Sequence, residues 1–317
     1  MRSLFVMDPL DRLNLAGDST YMLMRASTAR GWAVSWCTPN DLFVRGGGTW
    51  ARAEEVTTTG EAPHFFRGGV GDVELGEFDL VWMRKDPPFD MEYIFSTWLL
   101  ERVPAGTAVF NRPEAIRSYN EKIHTLDFPD LCVDTLLTRD IGRIVAFAKT
   151  HDRVVLKPWD GNGGRGVLVT AANDPNLRSM IELLTAEGTK SILAQRYIPE
   201  IVQGDKRIIL VDGEPVGALL RVPSGSDHRG NMHAGARVAP TELDARDREI
   251  CARLGPRLRE QGLLFVGIDV IGGWLTEINV TSPTGIQEIN RLQDIRIEEL
   301  VLDAAVRRHP RSAGAAR

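Results

Sequence analysis

The sequence predicts an α/β (α+β) protein of two or three domains, and three observations carry that expectation. Strand-like and helix-like stretches alternate through the first third of the chain, the rhythm of βαβ units around a mainly parallel sheet. A glycine cluster then lies between two short apolar strands. Finally, two late strands, Phe265–Val270 and Leu275–Val280, are rich in Val, Ile and Leu yet carry carboxylate and amide side chains that a buried strand ordinarily excludes.

Taken in order, Ser3–Met7 predicts a strand and Ser19–Arg30 an amphipathic helix stopped at Gly31. Ala33–Cys37 and Leu80–Met83 predict strands, Phe95–Arg102 a helix and Ala108–Asn111 a strand. The glycine-rich, polar part from Gly46 to Gly76 predicts hairpins and loops. A domain of 1–118 follows. Beyond it, Ile141–Thr150 predicts a helix, Val154–Leu156 and Val167–Thr170 a pair of strands, Leu177–Glu187 a helix ended by Gly188, and Ile192–Tyr197 a strand. Arg207–Val211 and Val216–Val222 flank Asp212-Gly213, a hairpin dipeptide. Thr241–Gln261 predicts a long helix interrupted at Gly255-Pro256, and Ile297–Arg308 a last helix before a small, basic tail. Further boundaries are expected at 119–195 and 196–317.

Length and composition suit this reading. The chain has 317 residues, 43% hydrophobic and 26% charged, which is ordinary for a globular protein with sizeable cores. A net charge of −5 provides no global attraction to nucleic acid or to an anionic membrane, so an anionic ligand has to be held by local Lys and Arg. Cys37, Cys132 and Cys251 are scattered and odd in number, without metal spacing or a disulfide framework, which points to a reducing cytoplasm. The apolar run Leu4–Met7 is too short for a signal peptide or a membrane span.

Side chains of a strand alternate with period two, so Glu277 and Asn279 share a face. With Asp269 from the preceding strand they form a set of three hard oxygen donors, the chemistry that holds Mg²⁺ while phosphates complete its shell. That reading demands Asp269 opposite Glu277. A plain two-residue turn at Gly272-Gly273 would pair Asp269 with Thr276 instead, so the hairpin needs either a three-residue loop, Gly272-Gly273-Trp274, or a bulge.

Gly161-Asn162-Gly163-Gly164-Arg165-Gly166 fits the G-x-G-x-x-G pattern of dinucleotide folds, but that pattern requires a helix next. A strand, Val167–Thr170, follows. The expectation is a flap whose backbone N–H groups approach phosphates. Lys157 and Lys122 are candidate fixed cations for a triphosphate. Arg207 and Arg221 lie on adjacent strands, where guanidinium suits carboxylate or phosphate, and Asp205 suits a ribose hydroxyl. Arg84 and Asp86 sit just beyond a strand, where α/β sheets bind ligands. The aperiodic segment from Pro223 to Arg237 is longer than the usual ~4–6-residue connection and is expected to be a lid that brings in Arg229. His228 and His233 within it have no third ligand and are read as incidental.

These residues together resemble a known family. Met83-Arg84-Lys85-Asp86-Pro87-Pro88-Phe89-Asp90, Leu156–Gly161, Gly204–Arg207, Arg229-Gly230-Asn231 and Thr276–Thr284 resemble bacterial glutathione synthetase, an ATP-grasp ligase, in order along nearly the whole chain. The resemblance implies an N-terminal preATP-grasp, Rossmann-like domain and two subdomains that sandwich ATP. It implies phosphorylation of the cysteinyl carboxylate of γ-glutamylcysteine and attack by glycine, giving glutathione, ADP and phosphate; the alternative is a ligase joining a different amino-acid or γ-glutamyl pair. It also implies two Mg²⁺ ions, or Mn²⁺, held by Asp269, Glu277 and Asn279. ATP contacts are implied for Lys122, Lys157, Gly161, Asn162, Gly163, Gly164, Gln195, Tyr197, Ile198 and Asp205. Arg207 and Arg229 are implied to be catalytic, Arg84, Asp86, Arg221 and Asn231 to bind substrate, and the protein to be a cytoplasmic dimer or tetramer. Three departures stand out: Ala16-Gly17 where basic residues are expected, Ala236 for a lid glycine, and Trp159 for a smaller apolar residue.

Overall fold

The computed structural model describes residues 1–161, 163–223 and 237–310, which form three sheets with helices packed on them. The first sheet contains β1 (Arg2–Val6), β2 (Ala33–Cys37), β3 (Leu42–Arg45), β4 (Gly48–Thr58), β5 (Phe65–Glu74), β6 (Leu80–Met83) and β7 (Ala108–Phe110). Its strand order is β3-β4-β2-β1-β6-β7, with β5 paired to β4. The β2-β1-β6-β7 part is parallel, as the βαβ rhythm predicts; β4 and β5 form the antiparallel hairpin expected of the glycine-rich stretch, and β3, which precedes that stretch, pairs antiparallel with β4. Asp18 starts α1 (Ser19–Ala29) by accepting the Tyr21 N–H at 2.6 Å, and Asp90 starts α2 (Met91–Glu101) through Tyr93 N–H at 2.9 Å. A short helix, α3 (Pro113–Ser118), leads out of this part.

The second sheet, in order β10-β9-β11-β8, is built from β8 (Thr135–Thr138), β9 (Arg153–Pro158), β10 (Leu168–Ala171) and β11 (Ile192–Arg196). Helices α4 (Ile141–Lys149) and α5 (Leu177–Thr185) cover it. β9 and β10 run antiparallel, so the glycine cluster is the turn of a hairpin and not the start of a helix.

The third sheet, in order β14-β13-β12-β15-β16, contains β12 (Asp205–Val211), β13 (Glu214–Val222), β14 (Arg237–Pro240), β15 (Phe265–Ile271) and β16 (Trp274–Asn279). Asp212 and Gly213 have φ of 54° and 77°, the two left-handed residues of a type I′ hairpin. Two helices, α7 (Ile286–Gln293) and α8 (Ile297–Arg308), close the chain.

One helix corrects the sequence reading. α6 runs Ala245–Gln261, starts four residues later than expected and passes through Pro256 without interruption. Its start is set by Asp244 and Asp247, which cap each other's backbone N–H at 2.9 and 3.0 Å. Beyond the proline the helix is held from outside: Leu254 and Leu258 are fully buried, and Arg259 donates to Asp212 O at 3.3 Å. Packing on both sides of Pro256 outweighs the lost N–H. The sequence reading also contained no β3, β8, β14, α3 or α7, and α2 starts at Met91 rather than Phe95.

One hydrophobic cluster joins Phe5, Trp82 and Phe110 of the first sheet to Ile209 and Leu219 of the third and to Val301 and Leu302 of α8. The second sheet has its own cluster, drawn wholly from its strands and α4 and α5. Among the described residues, no helix is long and apolar enough to cross a membrane.

Candidate active site

The three sheets meet at a cleft of about 790 Å³. At its centre lies the β15–β16 hairpin, and its register answers the requirement stated above. Ile271 faces Trp274 across Gly272-Gly273, whose φ values of 56° and 78° make a two-residue turn. Val270 then faces Leu275, but Asp269 faces Glu277, because Thr276 is an extra residue on β16. The bulge restores the shared face, and the three-residue loop is not used. Thr276 Oγ1 donates to Asp269 O at 3.0 Å across it.

Around Asp269 the site is strongly charged. Arg207, opposite it on β12, donates from Nε at 2.5 Å and from another guanidinium nitrogen at 3.0 Å, a bidentate pair. Arg221, on β13 opposite Asp205, reaches Asp269 at 2.9 Å and also bonds Asp205. Burial opposes the charge on Asp269, yet Arg207 and Arg221 outweigh it and hold the carboxyl well below the usual carboxylate range. Asp205 goes the other way: burial, and then the neighbouring Asp269, push it up to about 7 in spite of Arg221. One Asp205 carboxylate oxygen and the Arg221 Nε are buried without a hydrogen-bond partner among the described residues.

Lys122 enters from the opposite wall. Asn120 accepts the N–H groups of Lys122 and Ile123 at 3.0 and 2.9 Å, an Asx turn that fixes the lysine backbone. The Lys122 ammonium lies 3.4 Å from Glu277 and donates to Gly161 O in the flap. Burial disfavours its charge, but Glu277 and Glu121 together raise its pKa. Lys157, at the end of β9, lines the same cleft, and burial lowers its pKa. Gly161, Gly163 and Gly164 line the cleft beside them; Asn162 lies outside the described residues.

Gln195, Tyr197 and Ile198 form the far wall with Val133, Val155 and Leu168. The Gln195 amide donates to Thr135 Oγ1 at 2.9 Å. An apolar slot edged by backbone polar groups is the surface a flat heteroaromatic ring needs.

Not every expected residue reaches this cleft. Asp86 lines it, but Arg84 lies behind its wall. Its guanidinium is buried, donates to Thr20 Oγ1 at 3.1 Å and to Pro283 O at 2.9 Å, and stacks 5.0 Å over Phe265. With Nε and Nη2 committed to those partners, Arg84 here braces the Thr281–Thr284 wall. Gly17 sits against Glu288, where the expected basic residue is missing. Trp159 is half-exposed at the base of the flap and accepts from Asn120 at 3.3 Å through its carbonyl. Arg229, Asn231, His228, His233 and Ala236 lie outside the described residues. Conversely, Glu121, Arg165, Thr281 and Ser282 line the cleft and were not assigned from sequence. Glu121 and Arg165 adjoin assigned residues, and Thr281 and Ser282 lie in the Thr276–Thr284 stretch that carries the resemblance.

Asp269, Glu277 and Asn279 fit a divalent cation by donor chemistry. The Asn279 amide lies 3.2 Å from Asp269 Oδ2, and the positive charges of Arg207 and Lys122 now rest on the two carboxylates. Among the described residues no cluster of three or more His, Cys, Asp and Glu could hold a metal. A two-carboxylate, one-amide set therefore leaves most of the coordination shell to phosphate oxygens and water.

Comparison with known proteins bears on the fold and the family. Solved ATP-grasp structures share the fold. The ligase PsnB with its minimal precursor matches at TM-score 0.65 and 19% identity, covering 96% of this chain and 98% of that one. The D-cycloserine synthetase DcsG matches at 0.67 and 14%, covering 96% and 99%. That fold, together with the family match of residues 121–294 and the curated relatives that follow, makes the molecule an ATP-dependent ligase of the ATP-grasp class. Residues 1–117 match the N-terminal domain of prokaryotic glutathione synthetase, and residues 121–294 match its ATP-grasp domain. The glutathione synthetases of Agrobacterium fabrum, at 46% identity over 94% of both chains, and of Rhodopseudomonas palustris, at 48% over 90% and 92%, are similar throughout. The chain belongs to the prokaryotic glutathione synthetase family.

Proposed function

We propose that the cleft ligates γ-glutamylcysteine to glycine through an acyl phosphate, with ATP and two Mg²⁺ ions, Mn²⁺ substituting. The observation that carries this reading is the Asp269–Glu277 register, which assembles oxygen donors, Arg207, Arg221 and Lys122 in one cleft. The adenine lies along Gln195–Ile198, Asp205 takes a ribose hydroxyl, and Lys122, Lys157 and the flap glycines 161, 163 and 164, with Asn162, take the phosphates. Asp269, Glu277 and Asn279 hold the cations, whose bound charge neutralises the triphosphate. Asp86, Arg221 and Asn231 face the dipeptide, and Arg84 acts on it through the wall it braces.

A carboxylate is a poor electrophile. The cysteinyl carboxylate oxygen attacks the γ-phosphorus and ADP leaves; the glycine amine then attacks the carbonyl carbon, phosphate leaves, and the amine gives up a proton. Such transfer depends on positioning and charge neutralisation, which Arg207 and Arg229 provide. Water has to be excluded, because acyl phosphates hydrolyse readily. The reading carries domains of 1–118, 119–195 and 196–317, a cytoplasmic enzyme and a homo-oligomer, dimer or tetramer, which light scattering would resolve.

The test is incubation with ATP, Mg²⁺ and γ-glutamylcysteine, with and without glycine, followed by mass spectrometry. Glutathione formed only with glycine is the expected result. Phosphate release that ignores glycine, with no tripeptide, defeats the substrate assignment and points to another amino-acid pair.

A further inference from the structure

We infer that Glu121 is a positioning residue: its carboxylate fastens the segment carrying Lys122 to the end of β16, and so sets where Lys122 stands against Glu277 and Asn279. The inference rests on the nucleotide–metal reading of the cleft.

The observation is a junction between two stretches of chain about 160 positions apart. Glu121 Oε1 accepts three hydrogen bonds, from Val280 N–H at 3.0 Å, Thr281 N–H at 3.3 Å and Thr281 Oγ1 at 2.9 Å. Its carbonyl accepts the Ile278 N–H at 2.8 Å. Ile278, Val280 and Thr281 alternate with and follow Glu277 and Asn279, so all four bonds are made beside two of the three proposed metal ligands. The flanking residues reach elsewhere: Asn120 donates to Trp159 O at the flap, and Lys122 donates to Gly161 O and pairs with Glu277. The three consecutive residues 120–122 therefore join flap, cation and metal strand.

Glu121 sits among like and opposite charges, Glu277 and Lys122. A glutamate there repels Glu277, which makes it a poor choice for ordinary packing. What the position uses is one oxygen that takes three donors at a chain junction. A side chain without that acceptor frees the strand end, and Lys122 and Glu277 lose their common frame. Residues that orient the groups touching a metal characteristically change metal affinity or activity about 10–100-fold when removed.

The test combines calorimetric binding of Mg²⁺–ADP with kinetics. Glu121→Ala is expected to weaken Mg²⁺–ADP about 10–100-fold and to raise KM for ATP, leaving KM for γ-glutamylcysteine unchanged. Glu121→Gln keeps an oxygen for the same donors and is expected to restore most of the binding. Glu121→Asp keeps the charge but falls short of the junction, and is expected to behave like Ala. Thr281→Val removes one donor and is expected to have a smaller effect of the same kind. Wild-type Mg²⁺–ADP affinity in Glu121→Ala overturns the inference. So does a normal Asp variant beside a defective Gln variant, since that pattern assigns the effect to charge. Should Glu121→Ala not fold, the Gln and Asp pair decides. Wild-type protein that binds Mg²⁺–ADP but makes no tripeptide refutes the ligation reading and leaves this inference standing.

Discussion

At Asp269, a single buried carboxylate answers two guanidinium groups. The side chains of Asp269, Arg207 and Arg221 are 5%, 8% and 4% exposed, so their charges are compensated by one another far more than by water. Removing one partner of such a set leaves buried charge unpaired, at a cost of about 3–5 kcal/mol. Asp269→Asn is accordingly expected to lower the unfolding free energy measured in urea by an amount of that order, with a lower midpoint, and to cut ligase activity about 10²–10³-fold. An unchanged midpoint would show that the arginines find solvent or other acceptors. The sign with pH follows from the same pairing. The folded pKa is depressed, so this stabilisation is present above the unfolded value of ~3.9 and is lost as pH falls toward the folded one. The cysteines make the opposite case. All three are buried, and burial pushes Cys251 up to about 12. A thiolate-selective reagent at neutral pH is expected to label none of them in the native protein and all of them in denaturant, with no loss of ligase activity. Rapid native labelling coupled to inactivation would return a cysteine to the mechanism.

Among the elements, α6 and the β12–β13 turn show packing without side chains. A Cβ on Gly213 would lie 2.5 Å from Gly255 O and 3.0 Å from Arg259 Cγ, and a Cβ on Gly255 would collide with Gly213 O. Helix and turn therefore touch backbone to backbone. Gly255→Ala is expected to destabilise by about 1–3 kcal/mol, the cost of overpacking, measured by urea unfolding. Gly71→Ala, where an added Cβ meets nothing within 4 Å among the described residues, is expected to stay within about 0.5 kcal/mol. Equal effects would mean that the contact at Gly255 relaxes freely. This contact also marks what sequence could reveal. Gly255-Pro256 reads as a break because propensity is local, whereas the force that carries the helix through it comes from Leu254, Leu258 and Asp212. The β15–β16 hairpin was legible because alternation and oxygen placement lie within a dozen residues. The Asp212-Gly213 turn was legible for the same reason. α7 was not, since Gly285 starts it without a side-chain cap and only Ile286 and Ile289 mark its buried side. Arg84 was assigned to the cleft from its neighbours in sequence, but its direction is decided by Thr20 and Pro283, far away in the chain. Glu121 escaped notice for the same reason.

For the whole molecule, the distribution of cores sets how it opens. The first and third sheets each have a cluster of their own but also share a third one, in which α8 packs against both, so the opening of one sheet is coupled to the other through that shared core. The second sheet buries Ile144, Val154, Leu156, Ile181 and Ile192 only among its own residues, and its walls meet the rest largely across the cleft. Contiguous units with separate cores open with separate free energies. In amide hydrogen exchange without ligand, β8–β11 are expected to exchange as one unit, at a lower opening free energy than β1, β6, β12 and β15. Mg²⁺–ADP spans Lys157 and the flap on one side and Asp269 and Glu277 on the other in the proposed function. At 100 times its Kd it adds about 2.7 kcal/mol to any opening that breaks the site. Protection in β8–β11 is therefore expected to rise by about that amount, toward the value of the shared core. Uniform protection in the free protein would mean that the second sheet is already locked to the others, and the cleft would then owe its shape to the chain alone rather than to the nucleotide that bridges it.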